Sequence, residues 1–157
     1  VHNDADTEFA QMMIVHHEGA IEMADLAVAQ GSSSEVRELG ERISGAQDPE
    51  IDLMTSWLEA WGEDLPVDAE MGGMDHGAME MDGMDQEATM DELVGLTGEE
   101  FDRRFLELMV EHHAGAVEMA EEHMTAGENA EAVELSDTII EDQTAEIAEM
   151  EDLLAAR

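Results

Sequence analysis

His16-His17-Glu18-Gly19-Ala20-Ile21-Glu22-Met23-Ala24 returns 96 residues later as His112-His113-Ala114-Gly115-Ala116-Val117-Glu118-Met119-Ala120. Seven of the nine positions carry the same residue: both histidines, the Gly, the first Ala, the Glu, the Met and the closing Ala. A methionine stands three residues before each pair (Met13, Met109), and another follows the first histidine of each by seven (Met23, Met119). Residues three, four and seven apart share one face of an α-helix. Each copy therefore reads as a helix that gathers His and Met along a single stripe.

The likeness extends well beyond this stretch. Residues 6–61 align with 102–157 without a gap, with 21 identities in 56 pairs, among them Phe9/Phe105, Leu39/Leu135, Ile43/Ile139, Gln47/Gln143, Glu50/Glu146 and Met54/Met150. A gapless match of that length is the mark of one duplicated unit. In the first copy Phe9, Met13, His16, Ala20, Met23 and Ala27 alternate steps of four and three, which predicts an amphipathic helix from about Asp6 to Gln30. Asp4 or Asp6 caps it and Gly31 stops it. Ser32 and Glu35 have capping-box spacing and open a second helix through Val36, Leu39, Ile43, Gln47, Met54 and Leu58, with a kink expected at Pro49. Trp57 and Trp61, one turn apart, are expected to close one end, and Gly62 ends the unit.

The second copy repeats the plan. Thr97 to Glu100 has capping-box spacing before a stripe of Phe105, Met109, His112, Ala116, Met119 and His123, the last standing where the first copy has Ala27. Gly127 stops this helix, and a further one runs from about Asn129 to Ala155. Each hairpin alone would expose an apolar face, and pairing the two buries it. The expectation is an all-α, single-domain four-helix bundle over 1–157: repeat 1 at 6–61, a connection at 62–96, repeat 2 at 97–157, and the first and third long helices facing each other in the core. A short helix over Met90–Val94 is expected in the connection.

Composition narrows the function. Forty-two acidic residues against five arginines and no lysine give a net charge of −37, which excludes a nucleic-acid footprint. Such a surface is soluble and attracts cations, and much of it is simply a solvated face. There is no cysteine, hence no disulfide, thiolate metal site or cysteine nucleophile. No apolar run is long enough to span a membrane. Val1 is not an initiator Met, so the chain reads as trimmed, with an export signal removed.

Fourteen methionines in 157 residues are the compositional oddity. Thioether is a soft donor that selects Cu(I) or Ag(I), and imidazole suits copper in either oxidation state. Met13, His16, His17, Met23, Met109, His112, His113, Met119 and His123 are accordingly the candidate metal ligands. The bland reading stands beside this one: methionine on a stripe usually fills a core, as Met54 and Met150 are expected to do, and a stripe histidine is usually a hydrogen-bonded core residue. Gln47, Glu50, Gln143 and Glu146 lie on or beside the same stripes and can orient the imidazoles from behind, or face water. His2 reads as a terminal bystander.

The connection carries Met71, Met74, His76, Met79, Met81 and Met84 among Gly and Asp, with no apolar period. Linkers normally use Ser, Gly and Pro, so this set reads as a second, weaker soft-metal site, the alternative being a plain acidic linker. Other chemistries fail on spacing. There is no Glu-x-x-His di-iron signature, no HExxH, no phosphate loop, no EF-hand, and no context for a Ser-His-Asp triad. No catalytic motif is found, and the chain is not expected to be an enzyme.

The segments around the two His pairs, Met12-Met13-Ile14-Val15-His16-His17 and Leu108-Met109-Val110-Glu111-His112-His113, with Gln47-Asp48-Pro49-Glu50 and Gln143-Thr144-Ala145-Glu146 downstream, resemble the domain of unknown function 305 family. That resemblance covers both repeats. It implies a bacterial, exported, ferritin-like four-helix bundle, and a copper role such as some relatives have. By position it implies that the paired histidines and flanking methionines are the ligands. The combined expectation is a secreted, periplasmic or cell-surface protein that binds a copper ion, with silver as a mimic, for sequestration or tolerance. Two alternatives stay open: a structural or interaction bundle with core histidines and no metal, and a redox metalloenzyme on a ferritin-like fold. A homo-oligomer is also left open.

Overall fold

In the computed structural model, residues 1–66 and 86–157 are described, and all regular structure among them is α-helical. The helices are α1 (Asp4–Gln30), α2 (Ser34–Trp61), α3 (Gln86–Val94), α4 (Gly98–Ala126) and α5 (Ala130–Ala155). Their ends follow local chemistry. Asn3, not Asp4 or Asp6, caps α1, and it forms a reciprocal capping box with Asp6. Ser33, one residue later than expected, caps α2 by accepting from the Val36 amide. Thr97 precedes α4 without a side-chain capping bond. Helix α3 is nearly twice the expected length, because it begins at Gln86. Pro49 sits inside α2 without ending it. Its missing donor would have bonded the Gly45 carbonyl, and both residues lie on the exposed face where water can replace that bond.

Helix α1 packs along α2, α4 along α5, and α1 against α4. Gly40 lets α2 approach α1 closely, since a Cβ there would stand 2.7 Å from the Ala24 carbonyl oxygen. The core divides into two apolar clusters. One holds Met23, Leu39, Ile43, Phe105, Met109 and Met150, and the other Phe9, Met13, Met54, Ala116, Leu135 and Ile139. Leu39/Leu135, Ile43/Ile139, Phe9/Phe105, Met13/Met109 and Met54/Met150 are repeat equivalents, and each pair is split between the clusters. Both clusters are therefore built from both repeats, and α1 runs antiparallel to α4. Trp57 and Trp61 stack on each other, Trp57 within the second cluster and Trp61 packed against it.

The repeats are also stitched by polar bonds that follow the same symmetry. Asp102, fully buried at the start of α4, accepts from the Ser32 and Ser33 amides at 2.8 and 2.9 Å, in the turn between α1 and α2. Asp6, fully buried at the start of α1, accepts from the Glu128 and Asn129 amides at 3.0 and 2.9 Å, in the turn between α4 and α5. Asp6/Asp102 and 32–33/128–129 are offset by the same 96 residues. Each repeat thus satisfies the orphan backbone donors of the other's helical turn.

Candidate metal centre

Between the two apolar clusters lies a layer of four histidines. His16 and His112, one from each repeat, meet where α1 crosses α4, with ring centroids 3.7 Å apart and planes tilted by 32°. Their neighbours turn the other way. His17 places Nε2 2.6 Å from Glu50 Oε1 on α2, and His113 places Nε2 2.6 Å from Glu146 Oε1 on α5. Both of these histidines are fully buried. The doublet thus has a local reason. Adjacent residues on a helix point about 100° apart, so one imidazole of each pair faces the symmetry-related helix and the other faces its own hairpin partner.

A carboxylate only accepts, so His17 and His113 carry their proton on Nε2. On a neutral ring that leaves a lone pair on Nδ1. The Nδ1 atoms of His17, His112 and His113, and Gln47 Oε1, are buried without a hydrogen-bond partner among the described residues. Leaving a buried polar atom unpaired costs about 1–3 kcal/mol. Three imidazole nitrogens are in that condition within one layer.

Electrostatics agree. His112 is held well below its ordinary pKa, first by burial and then by the neighbouring His16, His113 and His17, so its ring is neutral and able to ligate. On the side of α2 and α5, Asp142 is raised above the usual carboxylate range, first by burial and then by the charges of Glu50 and Glu146. The two orienting carboxylates therefore converge on one flank of the layer. This makes the metal-free protein sensitive to acid. Its folded state refuses a proton at His112 that the unfolded chain accepts below about pH 6.5. Stability should fall as pH drops from 7.5 to 5.5, by about 1 kcal/mol, read as a lower urea midpoint. The slope should flatten in His112→Leu, and an unchanged slope in that variant would contradict the assignment.

The methionines frame the layer. Met13, Met23 and Met109 are fully buried and Met119 is half-buried; Met13 and Met119 pack on one side, Met23 and Met109 on the other. Met54 and Met150 fill the two clusters. Gln47 and Gln143 are buried on the stripes of α2 and α5. Among the described residues no three His, Asp or Glu side chains converge as a ready-made ligand cage. Met71, Met74, His76, Met79, Met81 and Met84 lie outside the described residues.

His123 is not brought to the layer. It lies eleven residues beyond His112 on α4, about 16 Å along the axis. Its Nε2 donates to Asp6 Oδ1 at 2.6 Å, its Nδ1 accepts from the Ser136 hydroxyl at 2.7 Å, and its ring stacks on Phe9. With both nitrogens engaged it is a tie between helices. Position 123 faces the same core as the paired histidines, so the stripe alone could not separate the two roles. Residues that sequence reasoning passed over are Asp6 and Asp102 as cross-stitches and Gln86 beside the histidine layer. The identity of Asp6 and Asp102 at the repeat offset was the available signal for the first two.

The model for the domain of unknown function DUF305 matches residues 6–154. The chain belongs to the DUF305 family. A DUF305 protein of Streptomyces coelicolor, described as a candidate secreted protein, has a crystal structure that superposes with a TM-score of 0.83 at 35% identity, over 97% of this chain and 93% of that one. A DUF305 fragment from Deinococcus radiodurans gives 0.83 at 29% identity, covering 99% and 98%. CopM in its Cu(I)-bound form gives 0.78 at 32% identity, covering 96% of each chain. CopM has also been seen with Cu(II), with silver and in the apo form. No curated protein matches the sequence.

Proposed function

We propose that this DUF305 chain is an exported metal-binding protein whose cargo is copper, held as Cu(I) with Ag(I) as a mimic, and that its four long helices form a ferritin-like four-helix bundle built around the site. The observation that carries the reading is the set of buried, unpartnered Nδ1 atoms on His17, His112 and His113. The donor chemistry fits a soft to borderline cation. Imidazoles supply nitrogen, and Met13, Met23, Met109 and Met119 supply thioethers from the flanking clusters. The metal-bound forms of CopM support the choice of ion.

Within this reading Glu50 and Glu146 fix the ring orientation and tautomer of His17 and His113, as carboxylates behind ligating histidines do. His16 and His112 supply the contact between repeats, so one site would be shared by both halves. No described helix is long and apolar enough to cross a membrane, and a secreted or periplasmic location accords with the Streptomyces relative. Sequestration is preferred to turnover because the histidine layer is buried. The Met-rich segment 71–84 is assigned a subsidiary, weaker site.

A Cu(I) titration against a competing chelator tests the proposal. The intact protein should bind, and Glu50→Gln with Glu146→Gln should weaken binding by roughly 10–100-fold without unfolding the chain. Absence of Cu(I) and Ag(I) binding in the intact protein would leave the histidines as structural members.

A further inference from the structure

His17 and His113 are fully buried, whereas the His112 ring lies beside Gly19 at the point that the Gln86 side chain crosses. Gly19 leaves the backbone of α1 bare beside the His112 ring: a Cβ at that position would stand 3.3 Å from His112 Nε2. The same point is 2.6 Å from Gln86 Oε1. Gln86, the first residue of α3, reaches across the notch, and its amide nitrogen donates to the Gly19 carbonyl at 3.1 Å and to Glu22 Oε1 at 2.9 Å. Helix α3 does not depend on this contact for its seat, because Thr89 and Leu93 are buried farther along it and Met90 packs on the core.

We infer that the notch at Gly19 is the route by which a cation reaches His112, and that the Gln86 amide lying across it controls entry. The inference rests on the proposed metal role and adds the path to the site. Opening the route requires the two hydrogen bonds of the Gln86 side-chain amide to release. The rim suits the traffic. Glu22 presents a carboxylate at the mouth, which draws cations inward. Position 19 carries no side chain between the α1 backbone and His112 Nε2, and Gly115, the repeat equivalent of Gly19, borders a groove on the outer face of α4 with Glu111, Glu118 and Glu121.

Two readouts test the route, one of them independent of metal. Diethylpyrocarbonate acylates accessible imidazole nitrogen, and fragmentation mass spectrometry assigns the label to His112. Gln86→Ala should raise His112 labelling by about fivefold and speed Ag(I) loading, followed by stopped-flow tryptophan quenching, by a similar factor. Its equilibrium Ag(I) affinity should match the parent. Helix content by circular dichroism confirms the fold of the variant. Unchanged His112 labelling in Gln86→Ala would overturn the inference. So would faster labelling with unchanged Ag(I) loading, because the ion would then enter elsewhere. Normal labelling responses in a protein that binds no Ag(I) at all would refute the metal role itself, and with it any cation route.

Discussion

Asp6→Ala should be the most destabilising single substitution in the chain outside the apolar clusters. The carboxylate accepts from the Asn3, Glu128 and Asn129 amides and from His123 Nε2. Burial pushes its pKa up, but the donors from Asn3, His123, Glu128 and Asn129 outweigh it and hold Asp6 below the usual carboxylate range. Removing it strands several donors in a site with no exposure. The expected loss is about 3–5 kcal/mol, or a drop in Tm of roughly 10 °C or more for a chain of this size. Asp102→Ala should cost less, since it leaves two amides and a distant Arg157 contact unsatisfied. The sign of the pH dependence follows from the lowered pKa: this contribution is present above the carboxylate's unfolded value near pH 4 and is lost as pH falls through the folded one. Thermal melts of the three proteins at pH 7 check the order, and an Asp6→Ala protein as stable as the parent would show that the cross-stitch carries little.

The second large effect is on metal affinity. A double variant, His17→Gln with His113→Gln, keeps a donor facing Glu50 and Glu146 but removes two of the unpartnered ring nitrogens. Cu(I) affinity should fall by at least about 100-fold, beyond the range expected for losing only the orienting carboxylates. Because amide and imidazole both satisfy the glutamates, the melting temperature should move by only a few degrees. Equal affinity in the double variant would place the copper donors elsewhere. A collapse of the fold with retained affinity in the residual folded fraction would assign the pair a structural task.

Much of the fold was legible because duplication doubles every signal. Phe9/Phe105, Met13/Met109 and Ile43/Ile139 mark the same stripe twice, and the structure places them in the two matching clusters. The meeting of the first and third long helices followed from the symmetry, and the His16–His112 contact realises it. Helix ends were less legible. Asn3 and Ser33 won the capping positions over Asp4, Asp6 and Ser32 because several capping residues compete within one turn. Asp6 does take part locally, in the capping box with Asn3, but it also binds amides more than 120 residues away, which no local spacing signals.

The site was half visible. The His doublets and the spacing of Glu50 and Glu146 pointed to the paired histidines and their orienting groups, and the 2.6 Å contacts join them. His123 shares the stripe with His112 yet serves Asp6 and Ser136, a distinction set by which helix end it reaches and not by periodicity. Gln86 carried no sequence signal, since its partners are a backbone carbonyl and a carboxylate on another helix.

The histidine layer as the principal copper site is tested most directly by one comparison: Cu(I) competition titrations of the intact chain, of a chain lacking residues 71–84, and of a variant with His16, His17, His112 and His113 all replaced by Gln. Tight binding that survives the deletion and disappears in the fourfold variant is the predicted result. Binding that disappears with residues 71–84 and persists without the four histidines would contradict it.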